Sequence, residues 1–239
     1  PLPLILALQS AFAAAPAPGF TVDAGTVVNA GQSIGSATGI DNTATVDGTI
    51  SVSNGDPAIT VTSSAGGTVT INNNGTIENT NGDENARGIY SKSNTNTLII
   101  NNAAGATISA IGDDAIKIGK AGAQFTINNQ GTIWQKGTGV DAGQALDMAD
   151  GAAAGTKLIN GSATNSAALI RADGADAINP ASNMDILNYG TIISNGMVNT
   201  KCRDAVPGGT ACKDSDAPSP ADAIDIDTVS YTHLRAHET

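Results

Sequence analysis

"INNNGTIENT" at residues 71–80 returns as "INNQGTI" at 127–133, as "LNYGTI" at 187–192 and, loosened, as "INNAAGATI" at 100–108. A phrase that recurs along one chain marks an architectural unit rather than a site. The glycine of its Gly-Thr-Ile core falls at Gly48, Gly75, Gly105, Gly131 and Gly190, in steps of 27, 30, 26 and 59 residues. The last step holds two periods, with "NSAALI" at 165–170 as a degenerate copy inside it. A second marker runs at another phase: "PAI" (57–59), "RGI" (87–89), "DAI" (114–116), "QAL" (144–146), "DAI" (176–178) and "DAI" (222–224). Its third residue recurs at 30, 27, 30, 32 and 46 residues. Two independent markers share one period.

Within a period the texture is that of strands. In "TVTINNNGTIEN", Val69, Ile71 and Ile77 fall on one face, and Thr70, Asn72 and Glu78 on the other, about a corner at Asn73–Gly75. "ARGIYSK" and "TLIINN" follow, so one period carries three short strands. A rung of this kind cannot bury its own apolar face; stacked in register on its neighbours it buries a continuous column. The sequence therefore predicts an all-β, right-handed parallel β-helix of about six to seven rungs, roughly 30 Å long at ~4.8 Å per rung. Val69, Ile71, Ile77, Ile89, Ile116, Ile127, Ile133, Ile178, Ile192 and Ile224 are its expected core. Asn73, Gly75, Gly105, Asn129, Gly131 and Gly190 are its expected corners, glycine for positive φ and asparagine for a stacked ladder of amides.

Composition agrees with narrow aliphatic layers. Aromatic residues make up 3% of the 239 residues, against 28 glycines. The net charge of −11 argues against a nucleic-acid partner held by a basic face. The start, "PLPLILALQSAFAAAPAPGF", runs from apolar Leu2–Leu8 into small residues. Cleavage of an export signal is expected at Ala13 or Ala15, with 1–15 the remaining part of that signal. The repeat domain is expected over 16–228, and "VSYTHLRAHET" (229–239), which lacks its texture, is set apart as a non-native tail. Residues 195–221 form an excursion that lengthens one period, holding Cys202 and Cys212 around "RDAVPGGTA". After an export signal a disulfide between them is the expected state; a metal site would need further histidine or cysteine partners nearby.

The export signal, the "INNxGTI" and "DAI" rungs and the scarcity of aromatics together resemble the passenger domain of bacterial autotransporters. That resemblance covers most of 20–228. It implies display at the outer-membrane surface of a Gram-negative bacterium, or secretion, behind an outer-membrane β-barrel translocator in cis that is missing from this sequence. It further implies an adhesin-like stalk that binds a surface protein or glycan through loops projecting from the rod, with 195–221 the loop expected to do so.

An enzymatic alternative rests on "IGDDAIKIG" (111–119), whose Gly112-Asp113-Asp114 resembles the Gly-Asp-Asp element of polygalacturonases, enzymes that share the β-helix. Their Asn-Thr-Asp, Gly-His-Gly and Arg-Ile-Lys elements are missing here, and both histidines, His233 and His237, lie in the tail. Pectate-lyase-like chemistry would draw on Arg171, Asp173 and Asp176, with Lys201 or Asp204 from the excursion. Turn carboxylates in "NGDEN" (81–85), "DGADA" (173–177) and "DAIDID" (222–227) suit calcium only if six or more oxygens converge. Trp134, the sole tryptophan, is expected to point outward from its strand, with Tyr90 and Tyr189 of open role. No catalytic residue, cofactor or metal ligand is assigned from the sequence, and the stalk reading is preferred.

Overall fold

The structure, a computed structural model, describes residues 17–62, 66–138, 142–149, 151–198, 219–220, 222–224 and 232–236. It is a parallel β-solenoid of about six turns, each contributing one strand to each of three sheets. The first rung is β1 (Phe20–Val22), β2 (Val27–Val28) and β3 (Gln32–Ile34); the second is β4 (Asn42–Val46), β5 (Thr49–Val52) and β6 (Ile59–Val61). The third is β7 (Thr68–Asn73), β8 (Thr76–Asn79) and β9 (Ile89–Ser91); the fourth is β10 (Thr97–Asn102), β11 (Thr107–Ala110) and β12 (Ile116–Ile118). The fifth is β13 (Gln124–Asn129), β14 (Thr132–Gln135) and β15 (Leu146–Met148); the sixth is β16 (Thr156–Asn160), β17 (Leu169–Ala172) and β18 (Ile178–Asn179). A seventh opens with β19 (Met184–Asn188) and β20 (Thr191–Ser194). The excursion then leaves and returns through the antiparallel pair β21 (Met197–Val198) and β22 (Ser219–Pro220), and Ile224 bridges back to Ile178.

The register follows the second sequence marker at every step. Ile59 pairs Ile89, Ile89 pairs Ile116, Ile116 pairs Leu146 and Leu146 pairs Ile178, with the Ile178–Ile224 bridge continuing the column. "NSAALI" takes its place too, Leu169 and Ile170 standing against Thr132 and Ile133. Strand alternation turns alternate side chains inward, and equal positions pile up. Val69, Ile71, Ile77, Ile89, Ile116, Ile127, Ile133 and Ile178 are fully buried, each such side chain contributing roughly 2–3 kcal/mol. Ile192 and Ile224 occupy the same inward columns but are only partly buried. They lie on the last described turn of their sheets, with no described rung above to cover them.

The corner glycines differ from expectation in their reason. Gly75, Gly131 and Gly190 do not adopt positive φ. A Cβ at Gly75 would instead run into the carbonyl oxygen of Gly48 on the rung before, one at Gly131 into those of Ala103 and Ala106, and one at Gly190 into that of Ala168. Close approach of stacked main chains excludes the side chain. Gly105 is the exception: its φ is +82°, with nothing within 4 Å of a Cβ. Thr107 pairs Thr76, so Ala106, not Gly105, stands over Gly75, and Gly105 belongs to a longer turn.

Asn73 closes its strand with an inward side chain. Its Nδ2 donates to Asn102 Oδ1 (2.8 Å), Asn102 to Asn129 (2.8 Å), Asn129 to Asn160 (2.7 Å) and Asn160 to Asn188 (2.8 Å). Each amide's other proton goes to a carbonyl of the next rung: Thr107, Thr132, Leu169 and Thr191 in turn, at 3.0–3.2 Å. Buried donors are thereby satisfied without water. Finally, β23 (Thr232–Ala236) pairs parallel with β19. The segment set apart for its texture is accepted by the first sheet because the pairing is between main chains.

Candidate functional site

Positions one residue after the second marker form an outward column on the third sheet: Thr60, Tyr90, Lys117, Asp147 and Asn179. At the corner leading into that sheet, Arg87 forms an ion pair with Asp113 and brings its Nε to 3.5 Å from Asp114 Oδ2. Lys117 reaches back to Asp114 at 3.9 Å and forms an ion pair with Asp147, whose other oxygen accepts from Asn179 Nδ2 at 3.1 Å. The Tyr90 ring occupies the space a side chain at Gly119 would need, and the cationic groups of Arg87 and Lys92 sit 4.9 and 5.2 Å from its centre. The ion pairs thus run unbroken across three rungs.

Asp114 is the unusual member. It is 1% exposed, and its Oδ1 accepts from the Gln144 main-chain N–H at 2.8 Å. Asp176, the aspartate of the next "DAI", does the same for Asp222 N at 2.7 Å. In these two copies the marker's aspartate thus fastens one rung to the next. Burial, reinforced by the neighbouring Asp113 carboxylate, pushes the Asp114 pKa up to about 7, against the pull of Lys117 and the Gln144 N–H. A carboxyl of that kind can both hold and release a proton near neutral pH. Asp113 is engaged otherwise: it accepts from Asn85 N at 2.9 Å and from Asp114 N at 2.9 Å.

A second cluster lies on the outer face of the second sheet. Trp134 points outward and is half-buried; its Nε1 donates to Asp173 Oδ2 at 2.8 Å. Arg171 and Lys136 sit 4.9 and 5.4 Å from its ring centre. Lys136 extends to Glu78 at 3.7 Å; Ser109 stands between Glu78 and Trp134 in the column and is buried without a hydrogen-bond partner for its Oγ. Partial burial alone would raise the Asp173 carboxyl, but hydrogen bonds from Arg171, Asn195 and Trp134 hold it below the usual carboxylate range. The indole is fixed by cations and a carboxylate, so it serves as packing for the outer face. Tyr189 borders a shallow groove over β16 and β19 with Lys157, Ile159, Asp185 and Leu187.

No protein-family model, curated protein or solved structure matches this chain.

Of the residues singled out in the sequence, the structure gathers Asp113 and Asp114 with Arg87, Lys117 and Asp147. It leaves Arg171 and Asp173 on a different sheet from them. Asp176 is buried at its corner. Among the described residues no three His, Cys, Asp or Glu side chains are placed to hold a metal ion. Cys202, Cys212, Lys201, Asp204, Ala13 and Ala15 lie outside the described residues. Sequence reading missed Arg87, Lys117 and Asp147. The signal was present: Lys117 and Asp147 each follow a marker residue, Ile116 and Leu146, and stacking of the markers stacks whatever comes next.

Proposed function

We propose that this chain is part of an exported, adhesin-like stalk of autotransporter type. It stands at the outer-membrane surface or is released, carried there by a barrel translocator in cis. The supporting observation is the uninterrupted amide ladder from Asn73 to Asn188, which ties consecutive rungs through side chains that are buried from Asn73 to Asn160 and donate both amide protons there. Such a ladder gives length and stiffness, and these are what a stalk needs. Contacts to a surface protein or glycan fall to the excursion 195–221, whose base is closed by β21 and β22. In adhesion assays with cells displaying the chain, replacing 199–218 by a short Gly-Ser bridge should abolish attachment while circular dichroism and the melting profile stay unchanged. Retained attachment, or loss of the fold, would count against this reading.

A glycoside-cleaving alternative draws on one observation, the raised Asp114 carboxyl beside Asp113. It requires release of reducing ends from pectic or other acidic polymers by the unaltered chain, abolished by joint Asp113→Ala and Asp114→Ala substitution. No release from such polymers ends it.

A further inference from the structure

Lys117 and Asp147 face each other from consecutive rungs, 30 residues apart, in the outward column of the third sheet. The Lys117 Nζ touches Asp147 Oδ2, and the same nitrogen lies 3.9 Å from Asp114 Oδ2. Asp147 Oδ1 accepts from Asn179 Nδ2 at 3.1 Å. The Lys117 and Asp147 side chains are 26% and 13% exposed, so the pair is largely withdrawn from water. All these groups are positioned by strands in register or by a main-chain hydrogen bond to Gln144, and none depends on a long loop.

We propose that Lys117 and Asp147 condense into an intramolecular amide, a covalent staple between the fourth and fifth rungs, with Asp114 as proton carrier. The pair begins as an ammonium and a carboxylate. Nζ gives one proton by way of Asp114 to Oδ2 of Asp147, leaving a neutral amine facing a neutral carboxyl; the amine then attacks Cγ, and the Nζ–Cγ bond forms while negative charge gathers on Oδ1, where the Asn179 amide already donates. The Cγ–Oδ2 bond then breaks. Oδ2 leaves as water with the two protons that Nζ gives up, passed on by Asp114, and one hydrogen stays on the new amide. Nothing is oxidised or reduced, and no co-reactant is consumed. The raised Asp114 carboxyl suits both halves of this transfer. Two further factors favour condensation: the amine nitrogen is already held against the carboxylate it would attack, and a largely desolvated ion pair is replaced by a neutral amide.

The staple goes beyond the stalk reading and does not need it, since its signature is read on the chain itself. The full-length chain should be lighter than its sequence mass by one water, beyond any leader removal. Tryptic mapping should show no cleavage after Lys117 and a branched peptide joining Lys117 to Asp147. Lys117→Arg and Asp147→Ala, each folded by circular dichroism, should return the missing water. Asp114→Asn keeps an acceptor for the Gln144 N–H; after cell-free synthesis its linked fraction should rise about a hundredfold more slowly. A folded native chain with Lys117 cleaved normally and Asp147 unmodified would overturn the proposal, as would a dehydration mapped to other residues. Asp114→Asn linking at the native rate would overturn the role given to Asp114.

Discussion

The two corners flanking the second sheet solve the same stacking problem in opposite ways. At the first-to-second corner, five consecutive rungs present the same residue: Asn73, Asn102, Asn129, Asn160 and Asn188. Beyond the second-to-third corner the stacked column reads Tyr90, Lys117, Asp147, Asn179, no two alike. Registered stacking sets each side chain about 4.8 Å from its equivalent. An amide carries both donor and acceptor, so like over like binds. A carboxylate over a carboxylate, or an ammonium over an ammonium, repels, so charged columns must alternate. The same rule runs down the second sheet, where Ser51, Glu78, Ser109, Trp134 and Arg171 follow one another, and on the first, where Lys157 faces Asp185. Identity is allowed where the side chain is neutral and self-complementary; elsewhere a periodic fold needs an aperiodic sequence.

The sharpest way to break this contrast is to put charge into the ladder. Asn102→Asp keeps the shape but sets acceptors against Asn129 Oδ1 and the Thr132 carbonyl in a buried site. It should cost about 5 kcal/mol, read as a collapse of the urea midpoint. The charged corner should respond to pH in a way the ladder does not. Asp114 has a folded pKa of about 7, raised above its ordinary 3.8. The folded state therefore holds a proton that the unfolded chain releases between those values. The Asp114 contribution to stability should be full below about pH 4, fall as pH rises towards 7 by at most about 4 kcal/mol, and level off above, whereas Asp173, held low, contributes with the opposite sign in acid. Urea titrations of the native chain and of Asp114→Asn across that range should differ by this slope; a native-minus-variant difference that is flat or rises with pH would contradict the burial of this carboxyl.

Smaller effects separate the two kinds of corner glycine. Gly131→Ala forces stacked carbonyls apart and should cost about 3 kcal/mol. Gly105→Ala meets open space and suffers only the left-handed backbone, about 1 kcal/mol. Equal losses at the two sites would refute the distinction. At the small end, Glu78→Ala removes a partly exposed contact to Lys136 and a hydrogen bond from Ser51 Oγ, and should change stability by about 1 kcal/mol.

Much of this was legible in one dimension. Period, strand count, inward aliphatic positions and the existence of an asparagine ladder all follow from repetition, because a repeated phrase can bury its apolar face only against copies of itself. "INNNGTI" carried the ladder and "DAI" the register, across intervals from 27 to 46 residues. Other features escaped. That Gly75 is excluded from bearing a side chain by Gly48, not by its own φ, is a contact between rungs and leaves no local mark. That Ala106 rather than Gly105 continues the corner depends on a turn whose length only the pairing reveals.

The meeting of Arg87, Asp113, Asp114, Lys117 and Asp147 was equally hidden, since no two of those three rungs share its residues. Repetition announces what is common to every rung, whereas a site is made from what differs between neighbours. Burial and juxtaposition then set its chemistry, and these exist only once the chain has been coiled.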